Sequence, residues 1–176
     1  MICPRLAALA LALLPAAPAL AGPKVKYIAG NPAFTVEAPD GWTAEESRYN
    51  IVHPMDFRPK KGEVPYRVQM FYFPIGDTEH PRQFVREMAG EQAQQDAVTN
   101  ASYDPPEEAV SRHKVALTMQ TLRGRRNGVE HGYVFVYFVV QNHGYVLTVN
   151  GPAATLGQAG KVTDAIINSV RPLKGK

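Results

Sequence analysis

Tyr133-Val134-Phe135-Val136-Tyr137-Phe138-Val139-Val140 decides the fold. Every residue in it is aromatic or β-branched, the composition of a strand. Successive strand side chains point to opposite faces of a sheet. Tyr133, Phe135, Tyr137 and Val139 therefore share one face, and Val134, Val136, Phe138 and Val140 share the other. Both faces are apolar, so something must cover the sheet on both sides.

Two helical segments can supply the cover. Pro81 to about Ala97 places Phe84, Val85, Met88 and Gln92 on one stripe, and Pro81 suits a first helical position, where no N–H is needed. Ala154 to Val170 carries a second stripe through Val162, Ala165, Ile166 and Ser169/Val170, and Arg171-Pro172 ends it.

Outward from the central strand, which is read as Val129–Val140, Gln141–Gly144 turns into a strand over Tyr145–Val149. Upstream, Arg123-Gly124-Arg125-Arg126-Asn127-Gly128 reads as the turn of a hairpin whose first strand is Lys114–Leu122. Tyr66–Phe73, Ala33–Ala38 and Trp42–Glu46 also read as strands, and Asn50–His53 is a candidate third short one near the start. Pro54–Pro65 and Thr99–Glu108 are rich in proline and read as loops. Residues 22–30 form a lead-in with the pattern of an edge strand. The expected fold is α+β, an antiparallel sheet of about six strands sandwiched by helices.

Residues 1–21 have a different character. Arg5 is followed by an unbroken Leu/Ala run from Leu6 to Leu14, then Pro15, Pro18 and Ala19-Leu20-Ala21. A charged start, a short apolar run and an A-x-A site are the signature of a secretory signal peptide. The run is shorter than the roughly 20 apolar residues of a membrane span. The expectation is export to a periplasm by a cleaved signal, with no transmembrane segment afterwards. Cleavage at Ala21 removes Cys3, the only cysteine, so the mature chain has no disulfide, thiolate site or cysteine nucleophile. A net charge of +3 argues only weakly for a polyanionic partner, and nucleic acid is not expected in that compartment.

Catalytic patterns are absent. None of Ser47, Ser102, Ser111 and Ser169 lies in G-x-S-x-G or S-x-x-K. There is no phosphate-loop or dinucleotide glycine pattern, and no zincin, EF-hand or haem-attachment motif. The carboxylates Glu45-Glu46, Asp104, Glu107-Glu108 and Asp164 fall in presumed loops or on polar faces, with no spacing that fixes a catalytic pair. No catalytic residue and no cofactor is expected. If Leu122 opposes Val129, His113 comes near the turn that carries His143, which makes these two a candidate metal pair. A catalytic zinc site wants three protein ligands, so two surface histidines is the simpler reading. Arg123, Arg125 and Arg126 in one turn, with the Lys60-Lys61 loop, are the candidate contacts for an anionic partner or surface.

Two segments carry a resemblance. Phe34-Thr35-Val36-Glu37-Ala38-Pro39-Asp40-Gly41-Trp42 resembles the F-x-V-x-x-P-x-G-W opening of the PsbP-like superfamily. Gly144-Tyr145-Val146-Leu147-Thr148, with Ile167-Asn168-Ser169-Val170-Arg171-Pro172, is similar to its closing strand and helix. That superfamily includes photosystem II extrinsic proteins and periplasmic DcrB-like proteins. The resemblance implies one α/β/α sandwich domain over residues 31–174, and Trp42 as a core anchor beneath the Pro-x-Gly turn. It transfers no functional residue, because members share no chemistry and instead bind or assist partners. The expected function is an exported, non-enzymatic accessory or binding module of the cell envelope that assists or stabilises a partner protein. The alternative is a periplasmic small-molecule or metal-binding protein.

Overall fold

The strand that is apolar on both faces runs Val129–Val140, as its pattern implies, near the middle of an antiparallel sheet. The computed structural model describes residues 24–26, 34–46, 55–73 and 79–172. Residues 1–21, read as a signal from the sequence, and Asn50–His53 lie outside them. In chain order the elements are β1 (Lys24–Lys26), β2 (Phe34–Glu37), β3 (Trp42–Glu46), β4 (Met55–Pro59), β5 (Arg67–Phe73) and α1 (Pro81–Gln95). Then come β6 (Thr99–Tyr103), β7 (Glu107–Val110), β8 (Ala116–Arg126), β9 (Val129–Val140), β10 (His143–Pro152), α2 (Leu156–Ser169) and β11 (Arg171–Pro172).

The main sheet has eight strands in the order β3-β4-β5-β10-β9-β8-β6, with β7 also paired to β8. A small sheet, β1-β2-β11, uses the lead-in strand as its edge. The two faces of β9 meet different partners. Tyr133, Phe135 and Tyr137 join Leu122 and Val146 beneath Val85, Ala89 and Ala93 of α1. Val136, Phe138 and Val140 join Tyr145, Leu147 and Val149 beneath Ala159, Ile166 and Ile167 of α2, and beneath Phe34 and Val36 of β2. The result is the expected helix–sheet–helix sandwich. Ser169 pins the small sheet to the end of α2: its Oγ accepts the Glu37 N–H at 2.8 Å and donates to the Ile166 carbonyl at 2.7 Å.

Several local expectations are corrected, each for a physical reason. Among the described residues the main sheet has eight strands, where about six were expected. Met55–Pro59 is a strand, not part of a loop: Met55 and Phe57 are buried in the core, and Pro59 sits at the strand end, where a missing N–H is tolerated. Thr99–Tyr103 and Glu107–Val110 are also strands. They lie at the sheet edge with both faces largely exposed, so they lack the apolar alternation that marks a strand. Pro105-Pro106 fall between them.

The Arg123–Gly128 segment is mostly not a turn. Strand β8 continues through Arg126, and the loop is the two residues Asn127-Gly128, with φ of 51° and 79°. That is the type I′ geometry that matches strand twist and favours Asn-Gly. The pairing register moves accordingly: Leu122 opposes Tyr133, and Arg126 opposes Val129. The inner stripes also shift. In α1, Ala89 and Ala93 are buried with Val85, while Phe84 and Met88 are half-buried. In α2, Ala159, Thr163 and Ile167 turn inward with Ile166, and Ala165 faces solvent. Small residues let each helix sit close to the sheet, and the aromatic rings of the strands fill the remaining space.

Candidate functional site

On β4, alternation sends Met55 and Phe57 to one face, and Asp56 and Arg58 to the other. Asp56 opposes Gln69 on β5, so the two face each other across one rung. The Asp56 carboxylate is only 4% exposed, yet both oxygens are satisfied. Gln69 Nε2 donates to Oδ1 at 2.7 Å, Arg58 Nη2 to Oδ2 at 2.9 Å, and Arg67 Nη2 to Oδ1 at 3.4 Å. A buried carboxylate is tolerable only when it is paired and hydrogen-bonded in this way. The arginine side chains remain 61% and 59% exposed, so their other N–H groups reach solvent. Helix α1 packs on β8 and β9, which leaves this half of the face beside it.

A groove of about 390 Å³ opens next to the pair, lined by Arg58, Arg67, Glu63, Phe57, Val64 and Tyr66 among others. Its wall is the loop that carries Lys60 and Lys61. The Pro39–Trp42 turn braces that loop. Trp42 N–H donates to the Pro39 carbonyl at 2.9 Å, and Lys60 N–H donates to the Gly41 carbonyl at 2.7 Å. Gly41 has φ of 78°, which a side chain would disfavour. The Trp42 ring stacks on Tyr66 at 6.2 Å and 20°. Trp42 is therefore the half-buried anchor expected beneath its turn, and it fixes the groove wall as well. Lys60 and Lys61 make no ion pair among the described residues.

The three candidate arginines lie along β8 rather than at a hairpin tip. Each has a carboxylate: Arg123 pairs with Asp104 at 2.9 Å, Arg125 with Glu130 at 3.0 Å and Arg126 with Asp96 at 3.4 Å. Arg126 is on the α1 face, and Arg123 and Arg125 are on the other. They share a sheet end with the Lys60-Lys61 loop nonetheless. Arg67, Asn150, Tyr133 and Leu122 form one rung across four strands, and both basic segments lie just beyond it.

At the same end, Asp96 at the C-cap of α1 accepts the Tyr133 hydroxyl at 2.7 Å. Burial, and then this hydrogen bond to a carboxylate, push the Tyr133 pKa well above the ordinary tyrosine value. His131 packs beside Tyr133 with ring centres 5.0 Å apart, and its Nε2 is buried without a hydrogen-bond partner. Burial, and then the Arg126 charge, lower its pKa, and Asp96 opposes them. The group reads as a latch that holds the end of α1 to the sheet. Tyr133→Phe is expected to cost about 1.5–3 kcal/mol, the range for a hydrogen bond to a charged group. Because folding raises the Tyr133 pKa, its contribution is full below about pH 10, the unfolded value. It is lost as pH rises towards the folded value. Urea unfolding of wild type and variant at neutral and alkaline pH checks this: the difference should shrink as pH rises, and a constant difference would contradict it.

His113 and His143 lie towards the other end of the sheet. His143 faces Tyr72 on β5, with Nδ1 and the Tyr72 hydroxyl 3.4 Å apart, whereas His113 is in the turn between β7 and β8. Strand β9 runs between those flanks. No group of three or more His, Cys, Asp or Glu that could hold a metal occurs among the described residues. No helix among them is long and apolar enough to cross a membrane.

Asp56, Arg58, Arg67 and Gln69 do leave a signal in the sequence. Gln69 interrupts Val68 and Met70 in an apolar strand, and a polar residue there needs a buried partner. Asp56 alternates with Met55 and Phe57, which is a strand pattern.

No family model matches the chain, and no curated protein matches it in sequence. Solved structures do. Cyanobacterial PsbP from Synechocystis superposes with a TM-score of 0.59 at 9% identity, over 80% of this chain and 87% of that one. LpqN of Mycobacterium tuberculosis, described as involved in cell envelope biogenesis, gives 0.51 at 12% identity, over 85% and 91%. A Bacteroides thetaiotaomicron protein gives 0.55 at 12% identity over 88% of this chain, which spans only 50% of that protein's length. At such identities the likeness concerns architecture, and the architecture is plain: the chain carries the PsbP-like fold.

Proposed function

We propose that the chain is an exported, non-enzymatic accessory module of the cell envelope that binds and stabilises a partner protein. The observation that carries this reading is the strand register, which gathers Lys60, Lys61, Arg123, Arg125 and Arg126 at one end of the sheet. The two lysines are unpaired among the described residues, and exposed ion pairs such as those of Arg123 and Arg125 hold their partners weakly. An acidic surface can displace those partners at little cost. Such a basic end steers encounter and orientation more than it adds affinity. Export is supported by the signal-like residues 1–21. The shared fold with LpqN, described as involved in cell envelope biogenesis, agrees with the envelope assignment.

Native mass spectrometry tests this on protein recovered gently from the envelope after reversible crosslinking. A reproducible companion protein is the expected result. A small added mass or a metal, with no companion protein, would replace this reading with the ligand-binding one.

A further inference from the structure

We infer that the groove beside Arg58 and Arg67 is a binding site for a phosphate group. The inference goes beyond partner docking and uses different residues. Two guanidiniums are held side by side by one carboxylate that solvent scarcely reaches. Asp56 engages only one Nη of each, through bonds of 2.9 and 3.4 Å. Each guanidinium has five N–H donors, so most remain to be used. Bracing them in advance removes much of the ordering cost that binding would otherwise carry.

The shape selects the ligand. A planar carboxylate is matched by a single guanidinium fork, and Asp56 already takes one Nη of each arginine. A tetrahedral phosphate has oxygens in several directions and can accept from both forks at once. The charged residues of the groove lining are Arg58, Arg67 and Glu63, two cations to one anion, with Asp56 held behind the two arginines. Phe57, Val64 and Tyr66 give one wall an apolar character suited to the organic part of an ester. The phosphate could belong to a soluble ester or to a lipid headgroup.

The experiment has one arm for each source. Inorganic phosphate and glycerol 3-phosphate are titrated into the protein while the arginine Nε–H resonances are followed by NMR. Vesicles of phosphatidylglycerol in phosphatidylcholine are tested by co-sedimentation. Saturable shifts of the Arg58 and Arg67 signals indicate a soluble phosphate. Vesicle binding without such shifts from the soluble probes indicates a lipid headgroup. In either case Arg58→Ala with Arg67→Ala should weaken binding at least tenfold.

That pair leaves Asp56 with Gln69 alone and can impair folding. Arg58→Lys with Arg67→Lys keeps the charge and removes the fork, and it should also lose affinity while remaining folded. No binding in both arms, or full affinity in the folded lysine variant, would overturn the inference. Either failure would leave partner docking by Lys60, Lys61 and the β8 arginines standing.

Discussion

Phe34→Ala is expected to lower stability by about 3–5 kcal/mol, the range for truncating a buried phenylalanine. Phe34 is fully buried. Its ring meets Tyr145 edge-on at 4.5 Å and Phe138 at 5.8 Å, tying the small sheet to the main one. The loss combines apolar area returned to water, two aromatic contacts and the cavity left between two sheets that cannot easily close on it. For a chain of this size the Tm should fall by on the order of 10 °C. Thermal and urea unfolding measure it. A cost below about 1 kcal/mol would mean that β2 is not packed on the core as described. The same contact explains why the F-x-V opening matters: Phe34 and Val36 are both buried, and the residues between and after them are not.

Asp56→Ala should cost less, about 1–3 kcal/mol, and should loosen both arginines. Removing one member of a fully buried ion pair typically costs 3–5 kcal/mol, because the other charge is stranded. Here the stranded charges are not stranded for long, since Arg58 and Arg67 are mostly exposed and regain water. What stays unsatisfied is the buried Gln69 amide, which loses its 2.7 Å acceptor. Urea unfolding gives the stability, and the arginine Nε–H resonances report the loss of order. A loss above about 4 kcal/mol would show that the arginines are far less solvated than their exposure implies. Unchanged arginine resonances would show that Asp56 does not position them.

The layers of this fold were legible because one strand, Tyr133–Val140, states that both faces of the sheet are covered. Its two parities went to the two helices as the alternation requires. The hairpin between β8 and β9 was legible only in part. Asn127-Gly128 named the turn, but three arginines beside it looked like loop because strand pairing is invisible in a run of charges. Edge strands escaped for a related reason: Thr99–Tyr103 is exposed along its whole length, so burial imposes no pattern on it. Prolines at 54, 59 and 65 hid β4, although Pro59 stands where a strand end can accept it. The site was half legible. Lys60, Lys61 and the β8 arginines could be chosen by charge, but which of them share a sheet end depends on register, and that depended on the length of the turn. The Asp56 cluster needed β4 to be recognised as a strand before Asp56 could be placed opposite Gln69.

The most direct test of the account is crosslinked capture of the companion protein at low and high salt, by wild type and by a variant with Lys60, Lys61, Arg123, Arg125 and Arg126 all changed to alanine. Screening weakens exposed charge contacts, with a Debye length of about 8 Å near physiological salt. Wild-type capture should be strong at low salt and fall as salt is raised. The variant, verified as folded by circular dichroism, should lose capture at both. Equal capture by wild type and variant, independent of salt, would contradict the account.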